Sequence, residues 1–131
     1  MVKRNEDEAA SVVLENHIYF SPFFGRKISS MLVRIVQLFI QPEHTETFLQ
    51  LFAAHQQHIS QMKGCVSLEL LVVSEIQGHV ATLSRWQEAQ DLENYRKSDL
   101  FKHIWSQVKP LFAQPAKATS YRIWNTEADV E

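Results

Sequence analysis

The segment MLVRIVQLFI, residues 31–40, restricts the possible folds of this chain more than any other. It is apolar and rich in β-branched residues, and only Arg34 and Gln37 interrupt it. Alternate residues of an extended strand point to opposite faces, so this pattern is typical of a strand that is buried on both sides. The sheet that contains this strand must therefore be covered on both faces.

After this strand, the sequence pattern predicts helical segments and three further strands. Pro42 ends the strand and suits the first position of a helix over residues 43–63, for which Gly64 is a candidate C-cap. Ser98 is expected to cap a later helix, which Pro110 should end or kink. The pattern predicts further strands at 65–74, 79–86 and 116–124, and further helices at 87–97 and 99–112.

We therefore predict an α+β fold of the ferredoxin-like type. The order β-α-β-β-α-β folds as an antiparallel four-stranded sheet with helices on one face. The other face would then meet water, although it also carries apolar residues, so we expect the same face of a second copy to cover it in a homodimer. In the first strand the two apolar faces are Met31, Val33, Ile35 and Phe39, and Leu32, Val36, Leu38 and Ile40.

The chain of 131 residues fits one folded domain with a different N-terminal segment. Residues 1–30 contain a charge run, KRNEDE, and then the aromatic stretch HIYFSPFFGRK. Full exposure of these aromatic residues is unfavourable, so we expect an arm that packs on its own domain or on a partner subunit. Residues 31–125 are then the folded domain, and residues 126–131 are a C-terminal tail.

Composition excludes several classes of protein. The net charge is −2, and the chain has neither a Lys/Arg cluster nor a Gly-rich loop, so a nucleic-acid partner is not expected. No apolar run reaches the length of a membrane span, and no signal-peptide pattern opens the chain. Cys65 is the single cysteine, which excludes an internal disulfide and predicts a buried, inert thiol. We expect a cytoplasmic protein that does not bind membranes.

Two histidines on the first helix are candidates for chemistry. On a helical wheel, His55 lies near the centre of the face formed by Phe48, Leu51, Phe52, Ile59 and Met62, and His58 lies at its flank. A sheet-facing imidazole needs a hydrogen-bond partner or a ligand, so His55 is either a core histidine or part of a ligand pocket. The pair has the spacing for a shared metal ion, but no third ligand is evident, so no metal site is predicted.

Aromatic residues of the second half of the chain are candidates for the wall of a pocket. Trp86 ends the third strand on the same face as Thr82, and its indole N–H needs a partner if it is buried. It is either a core residue that pins a helix to the sheet or one wall of a pocket with Tyr95 and Trp105. His103 is expected at the rim. The chain shows no pattern for the usual hydrolases.

Four motifs together resemble the antibiotic biosynthesis monooxygenase-like domain of the dimeric α/β-barrel superfamily. They are RIVQLFIQPEHTETF, KGCVSLEL, LSRW and EAQDLENYRKSDLFKHI, and the resemblance covers about residues 31–124. It implies a homodimer with sheets packed face to face, and a pocket between sheet and helices in each subunit. It also implies oxygen chemistry on electron-rich aromatic substrates without metal or flavin.

The resemblance carries over to individual residues only in part. Trp86 matches the strand-three tryptophan of the family, whereas Thr82 stands where cofactor-free oxygenases often have asparagine, and Tyr95 where many members have histidine. The haem-degrading branch has asparagine, tryptophan and histidine where this chain has Val36, Tyr95 and Trp105. The haem-binding histidine is thus missing, unless His103 or His55 replaces it, and no cofactor is expected.

The favoured function is a small cofactor-independent monooxygenase acting on an electron-rich aromatic or quinol-like substrate. Its expected catalytic residues are His55 as base or orienting group, Trp86 as wall and donor, and Tyr95 as a polar contact. Its expected substrate contacts are Thr82, Trp105, Phe52 and His58. Two alternatives stay open: a non-catalytic dimer that binds a hydrophobic ligand or serves a stress response, and, less favoured, a haem-binding or haem-degrading protein.

Overall fold

The computed structural model describes residues 27–73 and 77–125 of the chain. The predicted arm as far as residue 26 and the predicted tail, residues 126–131, lie outside the described residues. The described strands and helices are β1 (Lys27–Ile40), α1 (Thr45–Ser60), β2 (Cys65–Val72), β3 (His79–Trp86), α2 (Ala89–Arg96), α3 (Asp99–Val108) and β4 (Phe112–Asn125).

The four strands form one antiparallel sheet in the order β2-β3-β1-β4. The predicted α+β, ferredoxin-like fold is therefore confirmed. The apolar run that first indicated the fold lies in β1, a central strand that pairs with β3 on one side and with β4 on the other. A central strand has neighbours on both edges as well as layers on its faces, which accounts for the nearly continuous apolar sequence.

Two strands are longer than predicted. β1 already begins at Lys27, before the predicted start at Met31. β4 begins at Phe112 rather than at residue 116, because Phe112 still pairs with Ile40 at the end of β1. Pro115 can lie inside β4 because this strand is at the edge of the sheet, where a missing backbone N–H leaves no ladder bond unmade.

The helix ends follow most of the predicted signals. Pro42 opens a 3-10 turn that leads into α1, and Ser98 caps α3 by accepting a hydrogen bond from the backbone N–H of Phe101 at 3.1 Å. Pro110 lies in a 3-10 turn that ends α3 at Val108, as predicted. The C-cap prediction for Gly64 is wrong, because α1 already ends at Ser60.

The face of the sheet toward the helices is the buried one. Leu32, Leu38 and Ile40 of β1 are buried, whereas Ile35 and Phe39 on the opposite face are only half-buried. The helices add their own apolar residues to two core clusters, one around Leu38, Phe48, Val80 and Val108 and the other around Leu32, Trp86 and Leu92. Side chains of both clusters also line a cavity.

The opposite face of the sheet, here called the open face, exposes apolar and aromatic side chains. It carries Val33, Ile35 and Phe39 from β1 and Leu83 from β3. The ring of Phe39 lies 4.8 Å from the ring of His79, and the Lys117 ammonium lies 5.8 Å from the centre of the Phe39 ring. Leu71, Tyr121 and Ile123 on the same face are exposed. The described elements therefore leave this face open to another partner.

Candidate functional site

A cavity of about 540 Å³ lies between the buried face of the sheet and the three helices. Small-molecule sites usually measure about 300–1,000 Å³. Its lining is mostly apolar because the elements that surround it also build the core. Representative lining side chains are Val36 and Leu38 of the sheet and Phe48, Phe52 and Ile104 of the helices.

Six of the seven residues predicted for the site line this cavity. They are Phe52, His55, Thr82, Trp86, Tyr95 and Trp105. The structure does not place His58 there: its side chain is exposed, and its ring centre lies 6.1 Å from that of His55. The helical wheel put His58 at the flank of the sheet-facing side, and in the structure this flank position is exposed to water.

Trp86 is both a core residue and a wall of the cavity. Its side chain is 1% exposed, and its indole Nε1 donates a hydrogen bond to the Ser84 hydroxyl at 2.9 Å. Strand alternation places residues two apart on the same face, which brings these two side chains together. Both interpretations of Trp86 from the sequence thus apply to the same residue.

Five aromatic rings, here called the aromatic chain, follow one another along the cavity. They are Trp86, Tyr95, Phe101, Trp105 and Phe112, with ring centres 5.3, 5.2, 5.6 and 5.4 Å apart in that order. Stacked and edge-on contacts alternate along it, and both are favoured arrangements of aromatic pairs. All five residues line the cavity, so a planar ligand would meet ring faces and ring edges.

Tyr95 lines the cavity, and its phenol is largely buried. Burial raises the pKa of its phenol well above the ordinary value, and repulsion from the negative charge of the nearby Cys65 thiolate raises it further. Burial also raises the pKa of Cys65, against a smaller lowering effect of its bond to the Ser67 backbone. The phenol therefore stays protonated at neutral pH and can serve as a hydrogen-bond partner but not as a base. The prediction for Cys65 is met only in part, because the residue is half-buried rather than buried, although its raised pKa disfavours the reactive thiolate.

His55 is held by a partner on another helix. Its ring Nε2 lies 2.9 Å from the side-chain oxygen Oε1 of Gln107 in α3. An amide oxygen accepts, so Nε2 is the donor in this contact, and in the neutral imidazole Nδ1 then carries the lone pair. Nδ1 is buried and has no hydrogen-bond partner within the described part of the chain. A buried imidazole nitrogen with a free lone pair can accept a proton from a ligand.

His103 lies at the rim, as predicted. Its side chain is exposed, and its ring meets that of His55 edge-on with the centres 5.8 Å apart. The haem alternative required either of these residues to replace the missing haem ligand. His103 is not among the described residues of the cavity lining, and Gln107 already occupies Nε2 of His55, so of the two histidines only Nδ1 of His55 remains to meet a haem iron in the cavity.

The sequence pattern did not single out the polar floor of the cavity. Arg34 of β1 lines the cavity with only 6% of its surface exposed, and its Nη1 donates a hydrogen bond to the Ser120 hydroxyl at 2.9 Å. Its direct neighbour across the β1–β3 pair is Ser84, the partner of Trp86. An arginine inside a strand predicted to be buried on both faces was the available signal.

Two further properties concern metals and membranes. Among the described residues there is no group of three or more His, Cys, Asp or Glu side chains arranged to bind a metal ion. None of the helices in residues 27–73 and 77–125 combines the length and apolar character needed to cross a membrane.

Known structures share this fold at low sequence identity. Rv0793 of Mycobacterium tuberculosis is 19% identical, with a TM-score of 0.68 over 76% of this chain and 100% of that one. An antibiotic biosynthesis monooxygenase candidate of Nitrosomonas europaea is 15% identical, with a TM-score of 0.69 over 76% of this chain and 94% of that one. Protein SO0527 of Shewanella oneidensis is 18% identical, with a TM-score of 0.67 over 75% of this chain and 96% of that one. At these identities the likeness concerns the fold.

Sequence comparison identifies the family. No curated protein matches the sequence significantly. Residues 31–106 match the sequence model of the family described as antibiotic biosynthesis monooxygenase. The match spans more than half of the 131 residues and runs from within β1 to within α3, so the chain belongs to the antibiotic biosynthesis monooxygenase family.

Proposed function

We propose that this protein is a cofactor-independent monooxygenase for an electron-rich aromatic or quinol-like substrate. The observation that carries the proposal is the cavity between sheet and helices, which combines the aromatic chain with a buried imidazole lone pair. Membership of the family supports the class of reaction. The size and the aromatic walls of the cavity support an aromatic substrate rather than a sugar or a peptide.

The proposed reaction begins with removal of a phenolic proton by Nδ1 of His55. The resulting phenolate transfers an electron to O₂, and the phenoxyl radical and superoxide combine at a ring carbon to form a hydroperoxide. Loss of water from this carbon leaves a carbonyl group, so one oxygen atom enters the product quinone and the other leaves as water. The substrate supplies all four electrons, and the protein binds, deprotonates and excludes water.

Replacing His55 tests the role of the base. We expect His55→Ala to lower kcat for a hydroquinone by about 10²- to 10⁴-fold, the usual contribution of general-base catalysis. Oxygen uptake and quinone formation, followed together, measure the rate. Gln57→Ala, an exposed position of the same helix, is the matched control and should leave the rate unchanged.

The outcomes separate the proposal from its alternative. Oxygen uptake by the wild-type protein that His55→Ala leaves intact would remove His55 from the mechanism. Saturable binding of hydroquinones with no oxygen uptake would instead favour the non-catalytic ligand-binding dimer.

We also propose that the protein works as a homodimer through the open face. Members of this family are typically dimeric. The open face supports the same arrangement here, because its apolar residues include Val33, Ile35 and Leu83 at the centre and exposed Leu71 and Tyr121 nearer the edges. Two such faces would pack as a sheet-on-sheet interface.

A charge at the centre of the open face should separate the subunits. Ile35 pairs with Leu83 of β3 and Thr119 of β4, so Ile35→Glu would place a carboxylate in the middle of the interface in each copy. An uncompensated buried charge costs about 3–5 kcal/mol, which weakens the dimer by more than about 100-fold. Light scattering after gel filtration should give two chains for the wild type and one for the variant. A wild-type mass of one chain would contradict the dimer.

A further inference from the structure

We propose that Gln107 is a positioning residue, which holds the ring of His55 so that the cavity offers a neutral hydrogen-bond acceptor to the hydroxyl group of an aromatic ligand. The ligand class is an un-ionised phenol or naphthol, whose O–H donates to Nδ1 of His55. This inference rests on the proposed function for the role of His55 as the base. It adds the residue that orients this base and the polar group that the ligand must carry.

Gln107 contacts His55 from a neighbouring helix. Its side-chain oxygen Oε1 lies 2.9 Å from Nε2 of His55, across the contact between α3 and α1. Gln107 is half-buried and is not among the described residues of the cavity lining, whereas His55 is. Gln107 therefore lies behind the ring as seen from the cavity, and it acts on a ligand through His55.

This contact selects one tautomer of His55. An amide oxygen can only accept, so in the neutral imidazole the proton lies on Nε2 and the lone pair on Nδ1. The hydrogen bonds of the two ring nitrogens set which of them is protonated. The two nitrogens also point to nearly opposite sides of the ring. A proton held toward Gln107 therefore leaves the lone pair of Nδ1 turned away from α3.

Nδ1 of His55 is left for a ligand. It is buried and has no hydrogen-bond partner among the described residues. The rings of His58 and His103 lie next to that of His55, with centres 6.1 and 5.8 Å away, and neither bonds to Nδ1. A buried acceptor without a partner is costly, and a ligand hydroxyl that donates to it removes this cost. The site thus favours a ligand with a donor over one that has only acceptors.

The neutral charge of Gln107 matters as well as its position. A carboxylate in its place would also accept the proton of Nε2, but its negative charge would favour the imidazolium form of His55. An imidazolium carries a proton on both nitrogens and cannot accept a hydrogen bond. The amide orients the ring without adding a charge, and Nδ1 therefore remains an acceptor.

Paired probes with and without a hydroxyl test the proposal. Calorimetric titrations at neutral pH with 1-naphthol and with its methyl ether, 1-methoxynaphthalene, give an affinity ratio for each protein. The ratio in the wild type should favour naphthol by about 2- to 10-fold more than in His55→Leu, the usual gain from one neutral hydrogen bond. Gln107→Met, which removes the acceptor, and Gln107→Glu, which adds the charge, should each lose most of this gain. Gln57→Met, at an exposed position of α1, is the control and should keep the wild-type ratio.

NMR of isotope-labelled histidine rings locates the proton itself, which a merely structural role of Gln107 would not move. The signals of His55 are those that are missing in His55→Leu. In the wild type Nε2 should be protonated and Nδ1 bare, and 1-naphthol should shift the Nδ1 signal more than its ether does. Gln107→Glu should show both nitrogens protonated, and Gln107→Met should show a mixture of the two tautomers.

Three results would overturn the proposal: a wild-type ring with its proton on Nδ1, naphthol binding that is absent or gains nothing from His55, or a wild-type affinity ratio in either Gln107 variant. The first is read on the wild type alone and does not depend on how a variant folds. Titrations without oxygen measure binding only, so they can succeed when oxygen uptake fails. Oxygen uptake that depends on His55 but not on Gln107 would instead leave the proposed reaction in place and remove the role of Gln107.

Discussion

Replacing Gly64 with alanine should lower the free energy of unfolding by about 2–6 kcal/mol, a large share of the stability of a small domain. Gly64 has a backbone φ of +85°, which side-chain-bearing residues adopt only with strain. A Cβ atom there would also overlap the side chain of Asp91 in the first turn of α2. Asp91 is short and only 7% exposed, so it cannot move aside as a long surface side chain would.

The consequences of this change reach the cavity, because Gly64 joins α1 to the edge of the sheet. Its carbonyl oxygen accepts the backbone N–H of Gln87 at 2.8 Å, directly after Trp86. Urea unfolding at fixed protein concentration measures the loss. Gln61→Ala, at a position with ordinary helical backbone angles, is the control and should change stability by less than about 0.5 kcal/mol.

A second variant separates the two causes of the expected loss. Asp91→Gly removes the side chain that the new Cβ would meet but leaves the backbone angle as it is. In that background Gly64→Ala should cost only the strain, about 1–3 kcal/mol. An equally large loss in both backgrounds would assign the whole effect to the backbone, and a loss below about 1 kcal/mol in the wild-type background would contradict the packing of Asp91 on Gly64.

Gly64 also illustrates what a sequence can and cannot specify. A glycine after a helical pattern is expected at a position with positive φ, and that part of the expectation is correct. The assignment of Gly64 to the C-cap of α1 was wrong. A glycine with positive φ can end a helix or lie in the turn before a strand, so this backbone angle alone does not distinguish the two positions. The choice between them depends on where Asp91 of α2 packs, which is a contact between distant segments.

The fold could be predicted from the strand segments, because the alternation of apolar and polar residues and the runs of β-branched residues are local properties of the sequence. β3 was predicted with its observed bounds, His79–Trp86. The start of β4 was not, because Pro110 and Pro115 suggest an irregular segment. Position at the sheet edge decides whether a proline is tolerated, and position in the sheet comes from strand order rather than from the local sequence.

Residues of the cavity lining could be predicted where their position depends on a single helix or strand. They could not be predicted where it depends on a contact between two such elements. Helical and strand periodicity placed His55 and Trp86 on inward faces. Gln107 was missed because its contact with His55 depends on how α3 crosses α1. Arg34 was treated as an interruption of an apolar run, although a charged residue in a buried strand is costly and for that reason indicates a binding role or an ion pair.

Replacing Trp86 with alanine should lower the free energy of unfolding by about 3–5 kcal/mol and abolish aromatic ligand binding. The side chain is among the most buried in the described part of the chain, and as the first ring of the aromatic chain it stacks on Tyr95, the second ring, with the ring centres 5.3 Å apart. Trp86→Phe should keep most of the packing and remove only the N–H that holds Ser84. We expect a loss of about 0.5–1.5 kcal/mol for that change, the net value of one hydrogen bond.

A double-mutant cycle isolates the bond between the indole and the hydroxyl. If Trp86 orients Ser84, the losses of Trp86→Phe and Ser84→Ala should not add, and the double variant should be more stable than their sum predicts by about 0.5–1.5 kcal/mol. Trp124→Phe, at a tryptophan that is 41% exposed near the end of β4, is the control for the change of side chain itself. Strictly additive losses of unfolding free energy would mean that Trp86 contributes apolar packing alone and does not orient Ser84. Coupling would mean that the same indole that fills the core also fixes the Ser84 hydroxyl in the cavity wall, which makes core packing and the polar lining of the cavity inseparable at this residue.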